Sequence, residues 1–189
     1  PLFLNSYFGN YLPNMRPNKN YKNNYFSKKK YGGGVVLDSI HELDYVQWFF
    51  GQCKLIKSFT KKISNLKINA EDFASIHLEH KNKVISNIQL NYIQNQKERG
   101  CKIVGDKGIL NWHSDGKYPE KVRINYFDKK NNKWKSLLRT DNYDINLPYL
   151  KMIKEFLVIV ANKKKTNCRL QDSVNAFKSL KICKRILEK

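Results

Sequence analysis

At 189 residues, with 41% hydrophobic and 13% aromatic side chains, the chain is long enough to close one folded domain and too apolar to be disordered. Its formal net charge is +20, from 36 Lys and Arg against 16 Asp and Glu, but the lysines are spread among asparagines along the whole chain. The blocks Lys28-Lys29-Lys30 and Lys163-Lys164-Lys165 are short, so a solvated basic surface is the first reading and a non-catalytic module gripping nucleic acid or an acidic polymer is the alternative.

The four cysteines, Cys53, Cys101, Cys168 and Cys183, show no C-x-x-C and no histidine at metal-ligand spacing. No metal site is expected, and the cysteines read as reduced, buried thiols of a cytoplasmic protein. The longest apolar run, Phe156 to Ala161, is far below the length of a membrane span, so no membrane partner is expected. The chain starts at Pro1 without an initiator Met, which leads us to expect further residues upstream.

In chain order, Leu2 to Phe8 is rich in β-compatible aromatics and predicts a first strand, ended at Tyr11-Leu12-Pro13. An irregular segment with Pro13 and Pro17 follows, carrying Arg16, Tyr21, Lys22 and Tyr25. Two roles fit it. One is a substrate-facing arm, with Arg16 and Lys22 binding anionic groups and the tyrosines supplying flat faces and hydroxyls; the other is a solvated connector.

Gly32-Gly33-Gly34 opens, and Gly51 closes, a helix predicted over Val35 to Phe50. Projected at about 100° per residue, Ile40, Leu43, Val46 and Phe50 share a core-facing arc. Asp38, His41, Asp44, Tyr45 and Trp48 gather on a second arc, with Glu42 alongside. The triple glycine matches neither G-x-G-x-x-G nor a Walker pattern, so it does not read as a dinucleotide loop.

Strands are predicted next, over Leu55 to Ser64, Phe73 to His80 and Val84 to Tyr92. In the second, Ala74, Ile76 and Leu78 share a side; in the third, Ser86, Ile88, Leu90 and Tyr92 do. Lys81-Asn82-Lys83 turns these two into a hairpin. Arg99 to Val104 and Ile109 to His113 pair around Gly105-Asp106-Lys107-Gly108, and Lys121 to Phe127 pairs with Trp134 to Leu138 across the Lys129 to Asn132 turn. Two helices close the chain. One shows Tyr149, Ile153, Phe156, Leu157 and Val160 at helical spacing; the other shows Val174, Phe177, Leu180 and Leu187, and starts near Asp172 after a break from Asn162 to Asn167. Strands joined by tight turns and bracketed by helices predict an α+β domain: a largely antiparallel open sheet with helices packed on one face and the other face free for a partner.

His41, with Asp38 and Asp44 three residues to either side, has the makings of a general acid/base. Imidazole titrates near about pH 6.5, and a carboxylate neighbour orients the ring. A helix-borne histidine that is merely hydrogen-bonded fits the same spacing.

The stretch G-G-G-V-V-L-D-S-I-H-E-L-D-Y-V-Q-W-F-F-G, Gly32 to Gly51, resembles the signature of the C-terminal domain of the Gfo/Idh/MocA oxidoreductases. The run E-D-F-A-S-I-H-L-E-H (Glu71 to His80), the run I-V-G-D-K-G-I-L (Ile103 to Leu110) and the two closing helices follow in the family's order. The resemblance implies a glyceraldehyde-3-phosphate-dehydrogenase-like α+β domain over residues 1–189, acting as the substrate and oligomerisation domain of an NAD(P)-dependent enzyme. The nucleotide would be NAD or NADP, held by an N-terminal Rossmann domain that these residues do not contain, so the chain alone is expected to be inactive. The implied substrate is a sugar, nucleotide sugar or cyclitol, with surface-polysaccharide sugar synthesis a suitable setting. The open sheet face would join copies into a homo-oligomer, and no specific nucleic acid is implied. By the same resemblance, His41 matches the family's acid/base and Asp38 its carboxylate partner, with two residues between them where many members have three. Arg16, Lys22, Tyr25, Asp44 and Tyr45 are the substrate-side candidates.

Overall fold

The computed structural model describes residues 1–16, 18–116, 119–162 and 170–188. Expectations placed on Pro17, Lys163-Lys164-Lys165, Cys168, the Asn162 to Asn167 break and the Asp172 side chain fall outside the described residues. The strands are β1 (Phe3–Tyr11), β2 (Cys53–Lys61), β3 (Phe73–His80), β4 (Ile85–Asn91), β5 (Ile93–Gly105), β6 (Gly108–Ser114), β7 (Glu120–Asp128) and β8 (Lys133–Tyr143). They form one open sheet in the order β2-β3-β4-β1-β5-β6-β7-β8. The β1–β4 pair is parallel and the other neighbouring pairs are antiparallel. The first strand is thus inserted into the middle of the meander, between β4 and β5.

Alternation along the strands decides which face is covered. Leu4 and Phe8 of β1, Ala74, Ile76 and Leu78 of β3, and Ile88 and Leu90 of β4 all turn to one side and are buried. Four α-helices are described: α1 (Val35–Asp38), α2 (Ile40–Phe50), α3 (Leu147–Asn162) and α4 (Leu170–Leu187). Val35 and Val36 of α1, Leu43 and Val46 of α2, and Ile182, Cys183 and Ile186 of α4 complete the same core. Full burial of an aliphatic side chain stabilises by about 1.5–3 kcal/mol, so this layer clamps α2 over the centre of the sheet. The inward arc of α4 is Ser179, Ile182, Cys183 and Ile186, whereas Val174 and Phe177 are exposed. The apolar residues expected to pack from α3, Tyr149, Ile153, Phe156, Leu157 and Val160, are each at least half exposed. The place beside α2 is taken by α4. No described helix is long and apolar enough to cross a membrane.

The helix expected over Val35 to Phe50 is two helices. Ser39, fully buried at φ −103° and ψ 25°, separates α1 from α2. Each piece has its own anchor. Val35 N donates to the Glu71 carbonyl and Val36 N to Glu71 Oε1, both at 3.1 Å, which ties α1 to the entry of β3. The α2 piece is tied through Glu42 to β1 and β5, as described below. A continuous helix would force both attachments onto one rigid 100° grid, and the break removes that constraint.

Glycine is required at the start of α1. Gly34 has φ +113°, and a Cβ there would lie 2.2 Å from Glu71 Oε1. The carboxylate therefore fills the helix start, and burial raises the Glu71 pKa above its ordinary value. The preceding segment folds onto the body in short 3₁₀ turns pinned by the buried Leu12 and Phe26.

Candidate active site

Sheet register assembles the site. Ser6 of β1 sits opposite Cys101 of β5, Phe8 opposite Arg99, and Cys101 opposite Trp112 of β6, so Ser6, Arg99 and Trp112 share the helix-covered face. Glu42 of α2 descends onto this face and is fully buried. Its Oε1 accepts from Arg99 Nε at 2.6 Å, and Oε2 accepts from Ser6 Oγ at 3.1 Å. The Ser6 hydroxyl also meets the Tyr45 hydroxyl at 2.5 Å. The Arg99 guanidinium lies 5.4 Å from the Trp112 ring centroid and 5.9 Å from that of Tyr45. A buried carboxylate is tolerable only when paired and hydrogen-bonded, and this one is both. Burial first, and then the Glu42 charge, push the Tyr45 phenol well above its ordinary pKa, so it stays protonated.

His41 stands at the mouth of this network, its side chain 46% exposed, with Nε2 3.3 Å from Glu42 Oε1 and its ring edge-on to Phe8. With Nε2 facing the carboxylate, a neutral ring protonated on that nitrogen would present Nδ1 as its basic nitrogen. Sequence reasoning named Glu42 only as a neighbour and missed Arg99 and Ser6. On a helical projection Glu42 falls about 40° from Val46, inside the core arc, and Arg99 alternates with Cys101 and Ile103. Opposite charges at inward positions of a helix and a strand were the available signal.

The remaining predicted residues are distributed around this centre. Asp38 does not meet the imidazole: its Oδ1 accepts from the Tyr25 hydroxyl at 2.9 Å. The break at Ser39 turns Asp38 to the side of the arm, where the Asp38 charge, after burial, is a main cause of the raised Tyr92 pKa. Arg16 joins the same side, with its guanidinium 5.8 Å from the Phe26 ring and its charge felt at Tyr25. Lys22 is exposed on the arm, its amide donating to Asn20 Oδ1. Asp44 faces α4, accepting from Ser179 Oγ at 3.1 Å, and serves the helix pair. Trp48 is 73% exposed. The expected chemical arc is therefore divided: a Tyr25–Asp38–Arg16 side, a His41–Glu42–Tyr45–Arg99 centre, and Asp44 in the α2–α4 contact.

His80 at the far end of α2 is structural. Its Nδ1 meets the Gly51 carbonyl and its Nε2 the Ser86 hydroxyl, both at 2.9 Å, and burial lowers its pKa. A hollow of about 340 Å³ beside it is lined by Cys53, Lys54, Lys81 and Lys83 and does not reach His41. Among the described residues no group of His, Cys, Asp or Glu converges to hold a metal, and Cys53, Cys101 and Cys183 are free thiols.

The open, mostly antiparallel sheet and the sequence of its first 111 residues match a known class. Residues 1–111 match the model of the GFO/IDH/MocA C-terminal domain, and the chain belongs to that family. No curated protein matches it. Solved structures of similar fold include an oxidoreductase from Agrobacterium radiobacter in complex with NAD+, L-tartaric acid and magnesium (16% identity, TM-score 0.70, 100% of this chain and 54% of that one). Another is the UDP-N-acetylglucosamine 3-dehydrogenase GnnA from Acidithiobacillus ferrooxidans (13%, 0.65, 98% and 52%). A third is KijD10, a 3-ketoreductase from Actinomadura kijaniata in complex with TDP-benzene and NADP (10%, 0.67, 98% and 51%). At these identities the likeness is one of fold, and the chain spans about half the length of each.

Proposed function

We propose that this chain is the substrate and oligomerisation domain of a cytoplasmic NAD(P)-dependent oxidoreductase acting on a sugar or nucleotide-sugar hydroxyl or carbonyl. The observation that carries the reading is the His41–Glu42 pair: a half-exposed imidazole with Nε2 3.3 Å from Oε1 of a fully buried carboxylate. In this reading Nδ1 of His41 takes the proton from the substrate hydroxyl during oxidation and returns it during reduction. Glu42 holds the ring and offsets the imidazolium charge, and Tyr45 keeps the carboxylate aligned through Ser6. Asp38, Tyr25 and Arg16 form a polar wall for the remaining sugar or phosphate groups, and Lys22 on the arm is the outermost anion contact. The substrate class draws support from the nucleotide-sugar enzyme and the TDP-ligand complex among the similar folds.

The nicotinamide cofactor would supply the hydride chemistry, and the triple-glycine turn does not fit its pyrophosphate. The start of α1 behind the triple glycine is already filled by the Glu71 carboxylate. In this reading the cofactor belongs to a nucleotide-binding domain outside these residues. The open sheet face, where Phe3, Phe59, Ile85 and Trp134 are exposed, suits contact with a second copy.

The test is a nicotinamide absorbance assay on the gene product containing this chain, with NAD+ and NADP+, against a panel of UDP- and TDP-sugars. Sugar-dependent reduction is expected. A panel of free and nucleotide-linked sugars that gives no reduction, with the reverse assay also silent, overturns the reading.

A further inference from the structure

Arg99 reaches the candidate face with most of its donors unused. Nε donates to Glu42, and neither Nη group has a hydrogen-bond partner among the described residues. The side chain is 33% exposed, so solvent reaches it. Its plane is confined by the Trp112 and Tyr45 rings and by the Nε bond. Glu42 does not compete for the Nη groups, because it is buried with Oε1 shared by His41 and Arg99 Nε and Oε2 taken by Ser6. A guanidinium fixed at one edge with both Nη groups free is a fork suited to the paired oxygens of an oxyanion.

We propose that Arg99 is a substrate-binding residue whose Nη groups seat a carboxylate or phosphate oxyanion of the substrate beside His41. The inference rests on reading this face as the substrate site, and it narrows the substrate to an anionic sugar. Two sources offer that chemistry: the carboxylate of a sugar acid and the phosphate of a sugar phosphate or nucleotide sugar. Arg99 Nε and His41 Nε2 lie 2.6 and 3.3 Å from the same Glu42 oxygen, so the seat and the acid/base stand side by side. An anion bound at Arg99 would thus hold a neighbouring hydroxyl in reach of the imidazole.

The test is residue-resolved NMR on this chain in roughly 0.15 M salt, which screens the scattered lysines. Glucuronate, glucose 1-phosphate, inorganic phosphate and neutral glucose are titrated separately. Saturable shifts of the Arg99 Nε–H, the Trp112 indole and the His41 ring are expected with an anionic sugar and not with glucose. The tighter of glucuronate and glucose 1-phosphate identifies the source. Arg99→Lys, which keeps a cation against Glu42 but loses the fork, should weaken that binding about 10- to 100-fold, as loss of a charge-assisted pair does. Equal response to glucose, wild-type shifts confined to surface lysines, or unchanged affinity in Arg99→Lys overturns the proposal. The wild-type titration alone decides it should the variant fail to fold. Binding is read without turnover, so an oxyanion seat without activity, and activity without a seat, are separate outcomes.

Discussion

Replacing Glu42 by alanine strikes the joint that holds the candidate site together. The side chain is fully buried and accepts from Arg99 Nε and Ser6 Oγ, with His41 Nε2 3.3 Å from Oε1. Removing one member of a fully buried ion pair costs about 3–5 kcal/mol, because the other charge is stranded. Arg99 keeps a third of its side chain in solvent and can partly rehydrate, so the lower figure of about 2–3 kcal/mol applies, including about 1 kcal/mol for the bond that Ser6 loses. For a chain of this length that is a fall in Tm of roughly 5–10 °C. Glu42→Gln keeps the shape and an acceptor for Arg99 and should cost only about 1 kcal/mol. Urea unfolding followed by circular dichroism gives both values, and a cycle with Arg99→Met isolates the pair. An alanine variant within about 0.5 kcal/mol of wild type, or a glutamine variant worse than alanine, would refute the argument that this carboxylate organises the face.

Acid should weaken the domain through His80. Its pKa is lowered in the fold, so below about pH 6.5 the unfolded chain takes up a proton that the folded one resists. Stability from this site is therefore complete above about pH 6.5 and declines as pH falls, until the folded state also protonates. His80→Gln should flatten that decline in urea titrations at stepped pH, and identical slopes would contradict the assignment. Gly34→Ala forces a side chain into φ +113° and into the Glu71 carboxylate, and should cost about 1–3 kcal/mol or more. Combined with Glu71→Ala, its effect should be clearly less than additive, and full additivity would show that the clash is not the cause.

The alternation of Ala74, Ile76 and Leu78 against Ile88 and Leu90 was legible because a half-buried hairpin writes its faces at period two, and both strands stand where that period puts them. The insertion of β1 between β4 and β5 left no such mark, since the alternation within a strand records its faces and not its neighbours. The α1–α2 break was hidden for a related reason. Ser39 is compatible with a helix, and only the separate anchors of Glu71 and Glu42 show why the backbone departs there. That break sends Asp38 to Tyr25, away from the arc that a continuous helix would have it share with His41. Arg99 was out of reach because its partner lies 57 residues away in the chain.

The most direct measurement of the central claim is the turnover of His41→Asn in the gene product containing this chain, on whichever nucleotide sugar supports nicotinamide reduction. General acid/base action contributes about 10²- to 10⁴-fold, so kcat should fall by that factor, with cofactor affinity and the unfolding midpoint near wild type. A variant that turns over at the wild-type rate would contradict the claim that this imidazole exchanges the substrate proton.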